Sequence, residues 1–311
     1  MFTFLTISYN QEKYIIEHLE SIKYQIKKYA NGRDMCYILA DDGSSDRTVE
    51  LAKRWLELNG SLFKDINILD YSQNNGTVYN YIRAINSVTT SKYKCLAADD
   101  LYYKNNIFDL GDEADIVLSP ALFFSDDGRL LAGKNLFYYT CAGKKDDSLK
   151  KEIKRELSYY CGIHAPGSFV NPRIIQDAEL QKYLSQFKWI EDYPQWYYIF
   201  NKYDKDFSVS IEDKIYILYR ADVGISSKKG VRNPMFIEED NRIKQMIGNK
   251  RIRYKKYLNV YRYWYTLKRK YIECIKVNTN QIAKEIKCNY SQAQREAGEY
   301  MQYLKNNSFK N

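Results

Sequence analysis

The sequence predicts an α/β protein in which helices cover both faces of a mostly parallel central sheet, a three-layer α/β/α arrangement. Apolar strand-like segments alternate with amphipathic helical patterns about every 30 residues through the first third of the chain. Two of these strands end at adjacent acids, Asp41-Asp42 and Asp99-Asp100. Because ligands of open α/β sheets bind at the carboxyl ends of the strands, the two pairs predict one site along one edge of the sheet.

The elements of this sheet are expected within residues 1–100. Apolar runs predict strands at 2–8, 36–40 and 66–70, and a further strand that ends at Asp99. Apolar residues at helical spacing predict the connecting helices at 12–30, 47–58 and 78–88. Adjacent carboxylates at the mouth of a buried strand repel each other and lose hydration, so the sequence predicts a divalent cation beside them.

The rest of the chain divides into two parts. Residues 101–230 are less regular, with short predicted strands and with helices at 147–157, 172–186 and 195–202. We therefore predict one domain over 1–230, in two halves that meet near residue 100. Residues 236–311 form a predicted helical tail.

Basic and aromatic residues set this tail apart. Positions 241–276 contain twelve Lys or Arg residues and one acid, Glu273, which gives a local net charge of +11. Subtracting this from the net charge of +9 leaves about −2 elsewhere. Aromatic and aliphatic side chains recur there every three or four residues, at Tyr254, Tyr257, Leu258, Tyr261, Trp264, Tyr265, Tyr271, Ile272 and Ile275.

Composition excludes several classes of site. The six cysteines form no CxxC pair, which favours reduced thiols in a cytosolic protein. With only two histidines, His18 and His164, a His-based triad or a three-His metal site is not expected, so a general base should be a carboxylate. The sequence contains no run of about 18 apolar residues, so no membrane-spanning helix is predicted. Residues 1–8 are predicted to be a strand and not a signal peptide.

Several short motifs follow one another in an informative order. Along the chain they are Thr6-Ile-Ser-Tyr9-Asn10-Gln-Glu12, Asp41-Asp42-Gly43-Ser44-Ser45-Asp46, Asn75-Gly76, Ala98-Asp99-Asp100, Gly167-Ser168 and Glu191-Asp192. This order resembles the inverting glycosyltransferases of family 2, of the kind that makes bacterial surface glycans such as capsule and O-antigen. The resemblance covers residues 2–220. It implies the A-type nucleotide-diphospho-sugar transferase fold, with a nucleotide-binding half at 1–100 and an acceptor-binding half at 101–230.

The resemblance assigns the donor site to the first motifs. Tyr9 offers a stacking face for the nucleotide base, Asp42 matches the acid that contacts the base, and Asp41 assists or caps the turn. Taken alone, Asp41-Asp42-Gly43 is more typical of a turn followed by a helix cap. The residues predicted to bind the nucleotide sugar are Tyr9, Asn10, Glu12, Asp41, Asp42, Gly76 and Asp99.

The second acidic pair matches the family's metal and ribose acids. Mn²⁺ or Mg²⁺ takes carboxylate and diphosphate oxygens, and Asp99 and Asp100 are the predicted metal residues. Many members carry another Asp two positions before Asp99, where this chain has Ala97. We prefer Asp100 as the direct ligand and Asp99 as the ribose contact. The alternative interpretation is a solvated loop after a strand.

Asp192 is the predicted general base. In the family, the second acid of a Glu-Asp pair that opens a helix removes the proton from the acceptor hydroxyl, and Glu191-Asp192 matches that pair. Trp189 and Trp196 are close enough in sequence to form a sugar-stacking pocket. Complementarity to the helix N-terminus is the alternative role of these acids. His164 lies in a segment that resembles the acceptor-side loop and is not assigned a catalytic role.

Absent motifs narrow the activity. Processive polysaccharide synthases of this family are marked by a Gln-x-x-Arg-Trp motif and membrane helices, and this chain has no such motif and no predicted membrane helix. It also has no P-loop and no GxGxxG fingerprint, which argues against an NTPase or a dehydrogenase. We therefore predict a non-processive hexosyl- or N-acetylhexosaminyltransferase. It moves one sugar from a nucleotide-diphosphate sugar, with UDP-sugar preferred, to a hydroxyl of a glycan or lipid-linked glycan. A catalytically inactive nucleotide-sugar or glycan-binding scaffold is the alternative, and a nucleotidyltransferase is a third hypothesis.

The tail has three interpretations. It packs on the catalytic domain, lies on an anionic membrane surface, or binds nucleic acid. We favour packing combined with peripheral membrane contact and expect no nucleic acid partner, because no recognition module is visible. The predicted location is the cytoplasm, at the inner face of the plasma membrane. The sequence does not determine the oligomeric state.

Overall fold

The first hundred residues form a four-stranded parallel sheet, as predicted. The computed structural model describes residues 1–133, 135–223, 234–248 and 266–308. The strands are β1 (Phe2–Ser8), β2 (Met35–Asp41), β3 (Asp65–Asp70) and β4 (Tyr93–Ala97). They lie in the order β3-β2-β1-β4, and every neighbouring pair is parallel. β1 and β2 are nearly completely buried, as expected for central strands covered on both faces.

Three helices connect these strands: α1 (Ile15–Tyr29), α2 (Thr48–Asn59) and α3 (Thr77–Asn86). Parallel crossovers are right-handed, so α1 and α2 share one face of the sheet, and α3 lies on the other face because the strand order reverses between β1 and β4. The Trp55 indole N–H of α2 donates to Glu20 of α1 at 2.7 Å, which joins the first two helices. The three-layer prediction is confirmed.

Register aligns the carboxyl ends of the strands. Ser8 pairs with Asp41, and Ile7 pairs with Ala97. The residues that follow β1, β2 and β4 therefore emerge at one edge of the sheet. The reversal of strand order between β1 and β4 creates a crevice at this edge, which is where ligands of doubly wound sheets bind.

Two smaller sheets follow. The first, in the order β5-β10-β7, consists of β5 (Leu101–Tyr102), β10 (Ile217–Arg220) and β7 (Leu122–Phe124). The second, in the order β8-β6-β9, consists of β8 (Phe169–Val170), β6 (Ile116–Leu118) and β9 (Val209–Ile211). Each combines one antiparallel and one parallel pair. Short 3₁₀ turns lie at Gly60–Leu62, Ile107–Asp109 and Ala165–Gly167.

The helices of this half are α4 (Leu136–Cys141), α5 (Asp146–Leu157), α6 (Pro172–Ile175), α7 (Ala178–Leu184) and α8 (Asp192–Asn201). The single helix predicted over 172–186 is wrong in detail. Asp177 interrupts it, because its side chain accepts the backbone N–H groups of Glu179 and Leu180 and starts a new helix there. The last helix begins at Asp192, three residues before the predicted start.

The described part of the tail is helical. It contains α9 (Pro234–Met246), a helical stretch over 266–271, a π-helical turn at Ile272–Lys276, Val277–Thr279, and α10 (Gln281–Ser308). The predicted stripe residues from Tyr254 to Tyr265 lie outside the described residues. α10 packs back on the second half, where its apolar face shares a core with β5, β7 and β10. No helix in the described ranges is long and apolar enough to cross a membrane.

Candidate functional site

A cavity of about 1800 Å³ opens at the carboxyl ends of β1 and β4. It brings together residues from widely separated motifs of the sequence. Of the predicted site residues, its walls include Tyr9, Asn10, Asp42, Asp99, Asp100 and Asp192. The three carboxylate clusters therefore face one space, at the crevice that the strand order creates.

The loop after β1 is fixed to the turn after β2. Asn10 has a left-handed backbone, with a φ of 52°, and its side-chain oxygen accepts the Ser45 N–H at 2.9 Å. The Asn10 N–H donates to the Ser44 hydroxyl at 2.8 Å. Tyr9 is 43% exposed, so its ring is accessible to a ligand. This bracing holds the exposed loop at the cavity rim.

Glu12 lies outside the cavity, unlike Tyr9 and Asn10. Its carboxylate accepts the Arg47 backbone N–H at 3.2 Å and pairs with the Arg47 side chain at 3.4 Å. Its own N–H donates to Asp46 at 3.0 Å. Glu12 is not among the residues that line the cavity. These contacts make Glu12 part of the interface between the loop after β1 and the turn after β2.

Asp41 and Asp42 have different surroundings. Asp41 is fully buried, and it accepts the hydroxyls of Ser8 and Ser44 at 2.6 Å each and the Ser44 N–H at 2.7 Å. It does not line the cavity, so its contacts are those of a turn-forming residue. Asp42 lines the cavity and accepts the N–H groups of Asn75 and Gly76, each at 2.9 Å. Burial raises the pKa of Asp42, and these two bonds oppose the rise.

Gly76 supports Asp42 without lining the cavity. Its φ of 100° lies in the region that favours glycine. A Cβ at this position would approach the Lys188 carbonyl oxygen to 2.7 Å. The glycine therefore allows the start of α3 to pass close to the segment that precedes α8.

The second acidic pair is buried. Asp99 is 9% exposed and Asp100 is 1% exposed, yet both line the cavity. Burial raises the pKa of Asp99. Burial, followed by repulsion from Asp99, raises the pKa of Asp100 well above its usual range. His18 binds the Asp100 carbonyl oxygen at 2.7 Å through Nδ1 and the Thr6 hydroxyl at 2.8 Å through Nε2, so it braces the turn that carries the pair.

Arg220 is a residue near this pair that sequence reasoning missed. Its backbone N–H donates to Asp100 at 2.8 Å, and its Nε donates to the Asp99 carbonyl oxygen at 2.9 Å. The guanidinium is 2% exposed and pairs with Glu17 at 2.8 Å. It also lies 4.5 Å from the Tyr14 ring centroid. A buried positive charge therefore lies directly behind the acid pair.

Glu191 and Asp192 lie at the start of α8. Both are half-buried and line the cavity. Burial raises the pKa of Asp192, and its carboxylate accepts the Tyr193 N–H at 2.6 Å. The pKa of Glu191 is raised to about 8, first by burial and then by repulsion from Asp192, with a smaller contribution from Glu239.

Glu239 of α9 was also missed by sequence reasoning. Its carboxylate accepts three consecutive backbone N–H groups, those of Lys188, Trp189 and Ile190, each at 2.8 Å. These residues immediately precede the Glu191-Asp192 pair. No local motif marks Glu239 in the sequence, because its partners lie about 50 residues earlier.

The segment around His164 and the tail also line the cavity. His164 accepts the Ala121 N–H on Nδ1 at 3.0 Å, which assigns the neutral tautomer with a proton on Nε2. Trp189 and Trp196 both line the cavity, as does Phe236 of α9. Polar side chains from the tail helices complete the wall, namely Arg269, Glu273, Lys287, Ser291 and Gln294.

Comparison with known proteins identifies the relatives of this arrangement. Residues 3–131 match the family described as glycosyl transferase family 2. A search of curated proteins finds no match.

Solved structures that are similar to this chain include two of S. aureus TarS and one of a mannosyltransferase. S. aureus TarS 1–349 in complex with UDP-GlcNAc has a TM-score of 0.53 and 16% identity, over 79% of this chain and 66% of that one. S. aureus TarS has a TM-score of 0.50 and 17% identity, over 78% of this chain and 38% of that one. The mannosyltransferase PcManGT from Pyrobaculum calidifontis, in complex with GDP-Man and Mn²⁺, has a TM-score of 0.47 and 12% identity, over 97% and 84%.

The likeness to TarS with UDP-GlcNAc supports the fold alone, because the identity is low. This chain spans about two thirds or less of the length of the TarS structures, with shares of 60%, 66% and 38%.

Proposed function

We propose that this chain, which belongs to glycosyl transferase family 2 through residues 3–131, transfers a single sugar from a UDP-sugar to a hydroxyl group of a glycan or lipid-linked glycan, with inversion at the anomeric carbon. The observation that carries the proposal is the shared cavity: Asp42, the Asp99-Asp100 pair and Asp192 all line it. These residues lie more than 50 positions apart, so their convergence is a property of the fold.

The donor nucleotide occupies the end of the cavity at β1 and β2. Tyr9 supplies an accessible aromatic face for the base. Each Asp42 oxygen accepts one backbone N–H and keeps a lone pair for the base or ribose. Asn10, at the cavity rim, is positioned to contact the donor. Glu12, Asp41 and Gly76 act in this proposal by shaping the loops that hold Tyr9 and Asp42.

The Asp99-Asp100 pair fits Mn²⁺ or Mg²⁺. One Asp100 oxygen accepts the Arg220 N–H, so the available metal ligands are the other Asp100 oxygen, which we prefer, and the Asp99 carboxylate. We assign Asp99 to the ribose as well, as the sequence resemblance implies. No group of three or more acidic, histidine or cysteine side chains in the described ranges is arranged to hold an ion alone. Such ions bind through one or two carboxylates together with substrate phosphates and water. When bound, the ion neutralises charge on the departing diphosphate.

Asp192 acts as the general base. The acceptor oxygen forms a bond to the anomeric carbon while the bond from that carbon to the diphosphate oxygen breaks and its electron pair leaves with UDP. The acceptor proton passes to the Asp192 carboxylate. The half-buried position of Asp192 in the cavity wall supports this role. Trp189 and Trp196 make that wall apolar, which suits the faces of sugar rings.

We assign the acceptor to the part of the cavity that the tail helices line. The polar wall from the tail helices suits a hydroxyl-rich acceptor, and we infer a cytoplasmic enzyme with peripheral contact at a membrane where lipid-linked acceptors reside. Transfer of a hexose or N-acetylhexosamine, one per encounter, follows from the sequence resemblance.

The test is UDP release from UDP-glucose, UDP-galactose and UDP-N-acetylglucosamine, with and without MnCl₂, in the presence of a glycan mixture. We expect Asp100→Ala and Asp192→Asn each to lower kcat by on the order of 100-fold or more. Asp147→Asn is the matched control, since Asp147 is an exposed acid in the first turn of α5. Wild-type turnover in both site variants would refute the site. UDP binding without any transfer would favour the inactive scaffold.

A further inference from the structure

The segment that presents the acid pair of α8 is held by a helix outside the family-matched residues. Glu239 lies on α9, and both of its carboxylate oxygens are occupied: Oε1 accepts the Trp189 and Ile190 N–H groups, and Oε2 accepts the Lys188 N–H. All three distances are 2.8 Å. Hydrogen bonds to an ionised acceptor are stronger than neutral ones and constrain geometry more tightly.

A second contact on the same helix holds the same segment. Arg242, almost one turn after Glu239, donates to the Gln186 carbonyl oxygen at 2.6 Å. Its guanidinium lies 5.3 Å from the Phe187 ring centroid. Each residue from 186 to 190 is thus contacted by one of two α9 side chains.

The opposite side of the segment is tied to the nucleotide-binding half. The Lys188 carbonyl oxygen accepts the Val78 N–H of α3 at 3.1 Å. Gly76 allows this close approach. Lys188 therefore donates to α9 and accepts from α3. The position of Glu191 and Asp192, which follow it closely, is thus set by the first half of the domain and by the tail.

We propose that Glu239 is a positioning residue for the general base, and that α9 is a required part of the active site. This inference rests on the proposed function, in which Asp192 removes the acceptor proton. α8 begins at Asp192, so the placement of residues 188–190 sets the point from which the carboxylate enters the cavity. Phe236, which precedes Glu239 by three residues and so lies on the same side of α9, lines the cavity as well.

The proposal predicts a graded series in the full-length protein. Glu239→Ala removes all three acceptor contacts, and Glu239→Gln keeps one oxygen for two of them. Because a displacement of about 1 Å at a reacting group costs on the order of 100-fold in rate, we expect kcat to fall by about 10- to 100-fold in Glu239→Ala and less in Glu239→Gln. KM for the donor and calorimetric UDP affinity should stay within about two-fold, since Tyr9 and Asp42 are unchanged.

Glu238→Ala is the matched control, because Glu238 is the exposed neighbour on the same helix. A kcat for Glu239→Ala equal to that of the control overturns the proposal. So does a rise in donor KM with kcat unchanged, which would mean that Glu239 acts on donor binding.

Amide hydrogen exchange separates this proposal from the proposed function. In Glu239→Ala, the amides of residues 188–190 should exchange at least about ten-fold faster than in wild type, whereas amides in β1 should not change. This measurement needs no turnover, so it remains decisive if no UDP-sugar is a donor. Unchanged exchange at 188–190 refutes the role of Glu239, and failure of UDP release with faster exchange refutes only the proposed function.

Discussion

The pKa of Glu191 shows how strongly the surroundings of a carboxyl group in this site affect its protonation. It is half-buried next to Asp192. Its pKa is raised from the ordinary 4.5 to about 8, first by burial and then by repulsion from Asp192. Between these two pH values the unfolded chain has lost the proton that the folded chain retains. The free energy of unfolding therefore falls as pH rises through this window.

Glu191→Gln removes this pH dependence. We expect the variant to match wild type below about pH 4.5 and to be more stable by about 1–2 kcal/mol above pH 8, since partial exposure reduces the full effect. Urea denaturation at pH 4.5, 6 and 8.5 measures the difference. Glu57→Gln, at an exposed site on α2, should show no such trend. A constant difference at all three pH values would contradict the assignment.

The turn between β2 and α2 shapes the end of the cavity where we propose that the donor binds. Asp41 anchors it from within, and Gly43 has a φ of +74°. A Cβ on Gly43 would lie 2.5 Å from the backbone carbon of Gln73. The sequence pattern is typical of a turn followed by a helix cap, but only the structure shows that the loop containing Gln73 packs against this turn.

Gly43→Ala combines backbone strain with this clash. Gly32→Ala is the matched control, because Gly32 has a φ of +78° and no atom within 4 Å of its Cβ position. We expect about 1 kcal/mol of destabilisation in Gly32→Ala and at least about 1 kcal/mol more in Gly43→Ala. UDP affinity should fall only in Gly43→Ala. Equal free energies of unfolding for Gly43→Ala and Gly32→Ala in urea would show that the Gln73 backbone moves away from the new Cβ at no cost.

At the scale of the whole molecule, α10 closes the core of the second half. Its buried residues Ala297, Tyr300 and Leu304 pack with β5, β7 and β10, and the Tyr300 hydroxyl donates to the Tyr102 carbonyl oxygen at 2.8 Å. Of the interpretations of the tail, packing back on residues 1–230 is therefore observed for this helix. Peripheral membrane contact stays a prediction, because most of the basic aromatic stripe lies outside the described residues.

Adjacent positions on α10 offer a direct test of this packing. Ala297 is 0% exposed, whereas Gly298 has no atom within 4 Å of its Cβ position. Ala297→Arg buries a charge and should cost about 3 kcal/mol or more. Gly298→Arg adds the same charge on the solvent side and should be neutral or stabilising by up to about 1 kcal/mol. Similar urea midpoints for the two variants would mean that α10 is not part of the cooperative core.

The sequence by itself determined the alternation of strands and helices and the acids at the ends of β2 and β4. These are local properties, because the spacing of apolar residues reflects which face an element buries. Only the tertiary structure decided that Arg220 lies behind Asp100, 120 residues earlier, and that Glu239 holds a segment 51 residues before it. Such contacts have no local signature: they depend on how distant elements pack, and packing also decided that the acids of three motifs meet in one cavity.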